Sequence, residues 1–188
     1  AYSVDLKGSE YYDIFLRDLT TNKAIEEKIE NTSGSITWSL DSKSFFYTPL
    51  DKFHRSKKIY YHIIGKSSKD DQLIFEEKDD SFSVNISLTS DEKFFVISTS
   101  DSNTVEEYFF SSNDEKIEPK LFQKRERSIK YSIDSWKNHW YIHTNQNALD
   151  YQILRCKHKN EKKLEVFIPP QNETIIGGLD FLDDYILR

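Results

Sequence analysis

The most constraining feature of this chain is a repeat of short, strand-like stretches that each follow an acidic or amide turn. The four stretches are residues 41–48, 91–99, 138–144 and 183–187. Their central residues, Phe46, Phe95, Tyr141 and Ile186, are 49, 46 and 45 residues apart. Four further strand-like stretches accompany them, at residues 13–17, 59–63, 107–110 and 151–155. Fixed periods of this size with four short strands each are typical of β-propeller blades.

The repeat predicts an all-β fold, a partial β-propeller that occupies residues 1–188. Three blades are expected to be complete and four-stranded, and two to be partial. The complete blades are predicted at about residues 35–76, 82–123 and 129–168, and the partial ones at 2–30 and 174–188. Two closures are open at this point: the ends could pair into one shared blade, or they could be cut edges of a larger propeller. A cut edge would expose an apolar blade face.

The alternation of apolar and polar residues supports strands over helices. In the clearest blade, Phe82, Val84 and Ile86 alternate with serine and asparagine, which is the period of a half-buried strand. Residues 24–30 have some helical character, but the repeat places an edge strand there, and a strand is predicted. The chain contains no Met and begins in the middle of a repeat. We therefore expect an excerpt of a longer protein.

Composition limits the partners. A chain of 188 residues with 14% aromatic residues can bury a substantial core. The net charge of −6 argues against nucleic acid or an anionic membrane as the main partner, because both require clustered cations. The two basic stretches, residues 55–58 and 124–127, are interpreted as solvated loop charges.

The chain shows no membrane-targeting feature and no disulfide chemistry. It has neither an apolar run of about 18 residues nor a cationic segment leading into an apolar one, so no membrane partner is predicted. Cys156 is the sole cysteine and has no partner for an internal disulfide, which favours a reduced, cytoplasmic location. Its neighbours Arg155 and Lys157 could lower the pKa of the thiol.

The motifs of hydrolases and nucleotide-binding proteins are missing. The glycines at 8, 34, 65, 177 and 178 never frame a serine as a nucleophile elbow requires. The Gly177-Gly178 pair is followed by neither Lys-Ser/Thr nor a helical pattern, so no phosphate-binding loop is predicted. The sequence therefore indicates no nucleophile and no nucleotide cofactor.

The histidines and carboxylates do not have the spacing of metal ligands. His139 and His143 lie on a predicted strand, where four residues span about 13 Å, too far for both to bind one ion. The acidic run 76–80 lacks the alternating oxygen ligands and the glycine of a calcium loop, and is interpreted as solvated. The aromatic strands are interpreted as core rather than as a base-stacking platform. No catalytic, cofactor-binding or metal-binding residue is predicted.

One set of segments is more specific than the period. In order along the chain these segments are Gly8–Tyr12, Arg17–Thr20, Ile29–Gly34, Trp38–Ser42, Phe46-Tyr47, Tyr61-His62 and Leu73–Asp79. In that order they resemble the propeller domain of the oligopeptidase B (protease II) group of the prolyl oligopeptidase family of serine peptidases. The resemblance is strongest over residues 8–100. It departs from the family pattern at Arg55-Ser56 and Gly65-Lys66, both in predicted loops.

The resemblance implies a parent enzyme in which a seven-bladed propeller caps a C-terminal α/β-hydrolase domain that carries a Ser, Asp and His triad. Such an enzyme would cleave short peptides after Lys or Arg, and the propeller would gate access to the active site. The excerpt itself would be inactive, and a cut propeller would be expected to self-associate. The alternative is a free-standing small propeller that serves as a protein-interaction scaffold, with residues 2–30 and 174–188 paired in one sheet.

Overall fold

A computed structural model describes residues 1–188 and confirms the all-β class. It contains sixteen strands and a single 3₁₀ turn, Ser68–Asp70. The strands are β1 Tyr2–Val4, β2 Tyr12–Asp18, β3 Lys23–Trp38, β4 Ser44–Pro49, β5 Lys58–Ile63, β6 Gln72–Glu76, β7 Ser83–Leu88, β8 Phe94–Ser100, β9 Val105–Ser111, β10 Lys120–Gln123, β11 Tyr131–Trp136, β12 His139–Thr144, β13 Gln152–Lys157, β14 Glu165–Ile168, β15 Asp180–Phe181 and β16 Ile186–Leu187. The chain has no helix long and apolar enough to cross a membrane.

The strands form meanders in which each strand pairs with its neighbour in sequence. Strands β1–β6 make a six-stranded sheet, β7–β10 and β11–β14 make four-stranded sheets, and β15 and β16 pair with each other. The chain divides into two compact units, residues 1–86 and 87–188, with the boundary inside β7. The two-stranded sheet consists of β15 and β16 alone.

Strand β3 joins two predicted blades without a break. Its first part pairs with β2, for example Ile29 with Ile14, and its last part pairs with β4, for example Trp38 with Phe45. The register shifts between residues 32 and 36, where Gly34 has φ +84°. The predicted edge strand at 24–30 is therefore a strand, but it continues directly into the inner strand of the next meander.

The acidic turns before the aromatic strands have a common hydrogen-bond pattern. In the β3–β4 turn, Asp41 Oδ1 accepts hydrogen bonds from Ser39 Oγ at 2.6 Å and from Lys43 N at 2.9 Å, which hold the pKa of Asp41 below its usual value. In the β7–β8 turn, Asp91 Oδ1 accepts in the same way from Thr89 Oγ1 and Lys93 N. A short acidic side chain thus folds both of these turns, which explains why the first two aromatic stretches begin with Asp.

The aromatic strands supply the cores, as predicted. In the first unit the core consists of Ile14, Leu16, Ile29, Phe45 and Tyr47. In the second unit the fully buried Trp140 packs with Val96, Tyr131, Ile133, Ile142 and Cys156. The rings of Phe94, Phe109 and Phe122 surround Trp140 at centroid distances of 4.6, 4.9 and 5.7 Å. Edge-to-face and tilted rings at such distances contribute beyond their buried area.

Candidate functional site

The structure places the two histidines considered as ligands on one strand but gives them different partners. His143 Nε2 lies 2.7 Å from the carbonyl oxygen of Ile176, and its ring stacks on Tyr151 at 4.6 Å. His139 Nδ1 lies 3.1 Å from the carbonyl oxygen of Lys137. No cluster of three or more His, Cys, Asp or Glu side chains has a geometry that could hold a metal ion. The histidines of β12 are therefore held by backbone oxygens.

One basic stretch and the acidic run face each other in the first unit. Arg55 and Lys57 each have a nitrogen 3.5 Å from Asp80 Oδ1, and Lys58 Nζ lies 3.4 Å from Glu76 Oε1. The sequence pattern predicts solvated charges in both stretches, and the structure pairs them with each other. Since exposed pairs of this kind contribute about 0–1 kcal/mol each, their main consequence is to neutralise the patch rather than to create a charged binding surface.

The predicted influence on Cys156 was wrong. The thiol is 3% exposed within the Trp140 core, and burial raises its pKa to about 11, with a smaller contribution from Glu161. Side chains alternate between the two faces of a strand, so Arg155 and Lys157 do not share the face of the thiol. Arg155 instead pairs with Glu165 at 2.6 Å. Cys156 is a core residue and not a reactive thiol.

A serine, a histidine and an aspartate come together in the second unit, from parts of the sequence that gave no signal. Ser135 Oγ lies 2.9 Å from Asp91 Oδ2 and 2.9 Å from His158 Nε2. Ser135 is completely buried, and burial lowers the pKa of His158. These are the residue types of a hydrolase triad, so the order of the hydrogen bonds decides their chemistry.

That order excludes a nucleophilic role. In a triad the histidine stands between serine and aspartate, so that one ring nitrogen takes the hydroxyl proton while the carboxylate holds the other. Here the serine stands in the middle. Its single proton goes to Asp91, and His158 Nε2 must then donate to the same oxygen rather than accept from it. The cluster is a buried bridge between the β7–β8 turn, β11 and the end of β13.

A second buried cluster centres on His62 in the first unit. His62 Nδ1 lies 2.8 Å from Asp71 Oδ1, and Nε2 lies 3.0 Å from Glu27 Oε2. Tyr47 Oη donates to Asp71 Oδ2 at 2.9 Å, and Gly65 N donates to Glu27 Oε1 at 2.6 Å. His62 is 1% exposed. We call this cluster the His62 clasp.

The His62 clasp ties β3 and β5 to the segment that follows the 3₁₀ turn. Only an imidazole that carries both ring protons has one to donate to each carboxylate. Burial and the neighbouring Asp71 raise the pKa of the Tyr47 hydroxyl, so that hydroxyl stays a donor. An open cleft of about 410 Å³ borders the clasp. With both ring nitrogens engaged, His62 has no nitrogen available to act as a base towards that cleft.

The remaining positions singled out in the sequence lie in loops or ion pairs. Gly177 and Gly178 lie in an extended loop before β15, and no helix follows them. In the stretch 124–127, Arg125 is held by Glu106, which accepts from the Arg125 backbone N at 2.7 Å and lies 3.2 Å from its guanidinium. The buried clusters found in the structure therefore join strands and sheets, and none of them has the geometry of a catalytic centre.

Repeated antiparallel four-stranded meanders with aromatic second strands define the class: this is part of a β-propeller. The chain matches the family described as "Prolyl oligopeptidase, N-terminal beta-propeller domain" over residues 1–187. It belongs to that family.

Individual relatives agree with this assignment. The chain is 30% identical over 193 residues to Protease 2 of Moraxella lacunata, covering 95% of this chain and 28% of that protein. It is 26% identical to dipeptidyl aminopeptidase BI of Pseudoxanthomonas mexicana, covering 98% of this chain and 26% of that protein. The chain thus spans about a quarter of the length of these relatives.

Solved structures share the fold. Oligopeptidase B from Leishmania major superimposes with a TM-score of 0.92 at 23% identity, over 98% of this chain and 26% of that one. Oligopeptidase B from Trypanosoma brucei superimposes with a TM-score of 0.89 at 24% identity, again over 98% and 26%. These likenesses confirm a propeller excerpt as the fold class.

Proposed function

We propose that this chain is the gating portion of the propeller of a serine oligopeptidase, and that it is not itself catalytic. The observation that carries the proposal is the family match over residues 1–187. The Ser135 cluster supports it, because the only serine, histidine and aspartate described together have the wrong hydrogen-bond order for attack on a peptide. The predicted blade limits, residues 35–76, 82–123 and 129–168, belong to this proposal.

The partner in this proposal is a C-terminal α/β-hydrolase domain of the same polypeptide, which would supply the Ser, Asp and His triad. The substrates would be short peptides cleaved after Lys or Arg, in the cytoplasm. The similar proteins are named as a protease, a dipeptidyl aminopeptidase and prolyl endopeptidases, which supports peptide hydrolysis more broadly than any one specificity. The preference for Lys or Arg rests on the sequence resemblance of segments such as Ile29–Gly34 and Trp38–Ser42 to the oligopeptidase B group.

A domain that excludes large molecules from an active site must be rigid. The second unit has hydrogen bonds that hold its sheets together. Hydrogen bonds join turns of one sheet to a turn, or to strand β11, of a neighbouring sheet. These are Ser90 Oγ to Asp134 Oδ2 at 2.6 Å, Lys93 Nζ to Asn138 Oδ1 at 3.1 Å, Trp136 Nε1 to the Leu182 oxygen at 2.8 Å, and Lys137 Nζ to Asp184 Oδ1 at 3.3 Å. Exclusion by size requires no reactive residue on the gate itself.

The test is to capture the native protein with an antibody against this chain and to label it with a serine-reactive fluorophosphonate. A labelled band several times larger than 22.3 kDa is expected. As a matched control, a Ser135→Ala variant of the native protein is expected to label as strongly per folded molecule, since Ser135 is buried. An unlabelled band near 22.3 kDa would overturn the proposal and favour the interaction scaffold.

Substrate class is tested separately on the native protein. Short fluorogenic peptides ending in Arg, Lys, Pro or Ala before the reporter are compared at equal concentration. Faster hydrolysis of the Arg and Lys peptides is expected, with none by the 188-residue chain alone. Preference for Pro would contradict the Lys/Arg specificity while leaving the peptidase proposal intact.

We also propose that the isolated chain self-associates. Large apolar side chains are exposed in both units, among them Leu19 at 88% and Leu149 at 94%. Light scattering of the isolated chain is expected to show a mass above 22.3 kDa. A strictly monomeric profile at all concentrations would contradict this expectation.

A further inference from the structure

Glu107 is a buried carboxylate at the seam between two sheets of the second unit. It lies on β9 and is 3% exposed. Its Oε2 accepts a hydrogen bond from the backbone N of Ile133, on β11 of the next sheet, at 2.7 Å, and its Oε1 accepts from the hydroxyl of Ser98. The backbone N of Glu107 donates to Tyr131 Oη at 2.8 Å. One residue thus fastens β9 to β11 through both its side chain and its backbone.

No cation balances this carboxylate. The elements packed against it present Ser98 from β8, and Tyr131 and the like-charged Asp134 from β11. Arg125 pairs with the neighbouring Glu106, whose side chain lies on the other face of β9. An ionised carboxylate without a counter-ion in such a place is costly, even with two hydrogen bonds.

The adjacent Glu106 shows how a neighbouring cation changes the pKa of a buried glutamate. Both glutamates are at least 95% buried. Burial acts to raise the pKa of Glu106, but hydrogen bonds from Arg125 and Tyr108 outweigh it, and the pKa is lowered. For Glu107 burial dominates over the bonds from Ser98 and Ile133, and its pKa is raised to about 7. Two neighbouring residues of one type therefore have pKa values shifted in opposite directions.

We propose that Glu107 is a proton-operated latch, which holds the sheet containing β8–β10 against the sheet β11–β14 when neutral and favours local opening of this seam when ionised. The protonated acid fits the closed seam without losing a bond. One oxygen donates to Ser98 Oγ, while the other still accepts the amide of Ile133. The inference rests on the proposed function only for its consequence, a propeller gate that loosens as the pH rises from about 4.5 towards 7.

The direction and size of the pH effect on seam opening follow from the difference in the pKa of Glu107 between the closed and the open state. The closed state binds the proton with a pKa of about 7, and an opened, hydrated Glu107 has the ordinary value of 4.5. The stabilisation of the closed seam is therefore full below pH 4.5 and is lost as the pH rises towards 7. The opening equilibrium increases tenfold per pH unit over that range, up to about 300-fold if opening hydrates the carboxylate fully.

Amide hydrogen exchange on the whole chain tests the latch independently of peptidase activity. Protection of the Ile133 and Glu107 amides, corrected for intrinsic exchange, is measured between pH 5 and 8. We expect a fall of tenfold or more in the wild type and a flat profile in Glu107→Gln, because the amide mimics the neutral acid. The control Glu106→Gln is expected to keep the wild-type fall at Ile133.

Wild-type protection that does not change with pH overturns the proposal, as does an equal fall in Glu107→Gln. If that variant does not fold, the wild type still decides, because the carboxyl carbon of Glu107 can be titrated by NMR. A midpoint near 7 supports the latch, and a midpoint near 4.5 overturns it. Neither outcome depends on whether the native protein cleaves peptides, so failure here is distinguishable from failure of the proposed function.

Discussion

Two glycines with the same backbone conformation but different surroundings allow a sharp test of how β3 passes from one meander to the next. Gly34 has φ +84° and Gly65 has φ +86°. A Cβ added at Gly34 would lie 2.9 Å from Cγ and 3.2 Å from Cβ of Tyr12, on β2. A Cβ added at Gly65 would meet nothing within 4 Å. The variants Gly34→Ala and Gly65→Ala therefore share the backbone strain and differ in the clash.

The magnitudes follow from these two contributions. A left-handed alanine costs about 1–2 kcal/mol, partly offset by the reduced freedom of the unfolded chain, so Gly65→Ala is expected to lose about 1 kcal/mol. At Gly34 the clash involves Cβ of Tyr12, which β2 holds in place, so rotation of the ring does not relieve it. Overpacking of this kind adds about 1–3 kcal/mol. Gly34→Ala is expected to lose about 2–4 kcal/mol in total.

Urea unfolding followed by far-UV circular dichroism gives the free energy of unfolding of each variant. A double-mutant cycle with Tyr12→Ala removes the 2.9 Å contact to Cγ and leaves the 3.2 Å contact to Cβ. Removing the ring is expected to return about 1 kcal/mol or more to Gly34→Ala and nothing to Gly65→Ala. If the two glycine variants lose the same free energy within about 0.5 kcal/mol, the close approach of β2 and β3 at Gly34 is not what requires glycine there.

Three further outcomes are expected from the buried side chains. His62→Ala leaves Asp71 Oδ1 and Glu27 Oε2 without the imidazole and is expected to cost about 3 kcal/mol in urea unfolding. His139→Ala, which loses one contact to a backbone oxygen, is expected to cost less than about 1 kcal/mol, and equal losses would contradict the clasp. Burial raises the pKa of the Cys156 thiol from 9.0 to about 11. At pH 8 the thiol is therefore expected to react with a disulfide reagent at least about 100-fold more slowly in the native protein than after unfolding. A fast native reaction would place the thiol outside the core. The indole nitrogen of Trp140 has no hydrogen-bond partner. In thermal unfolding, Trp140→Phe is therefore expected to cost about 1 kcal/mol and Trp140→Ala about 3–5 kcal/mol. A loss in the Phe variant as large as in the Ala variant would contradict this.

The period of the aromatic strands was enough to predict the fold class, because the residues that repeat are the ones buried in the core. Phe46, Phe95 and Tyr141 are 1%, 3% and 5% exposed. The continuity of β3 was not predictable from the same pattern. Residues such as Asn31 and Gly34 usually indicate a turn, and both do have positive φ here. The chain uses them to bend and shift the register of one strand, and only its partners β2 and β4 reveal this.

The buried clusters were less accessible to sequence reasoning. Ser135, His158 and Asp91 come from separate elements, and no local spacing brings them together. Glu107 is different, since its signal was present. Within a strand, adjacent glutamates must face opposite sides, so Glu106-Glu107 between Val105 and the aromatic residues predicts that at least one carboxylate is buried. Which of them finds a cation depends on the position of Arg125 in the fold.

Residue type alone would have misassigned the chemistry of this chain. Ser135, His158 and Asp91 include every group of a hydrolase triad, yet the serine lies between the other two and is sealed from solvent. His62 has two carboxylates, which leaves neither nitrogen for proton transfer to a substrate. The Ser135 cluster joins the β7–β8 turn to β11, and the His62 clasp joins β3 to β5. The ionisable groups of this chain thus set how firmly its sheets are held together. The proposed gating depends on how firmly the sheets are held, and the proposed protonation of Glu107 would change it through the bond to Ile133, with no catalytic residue involved.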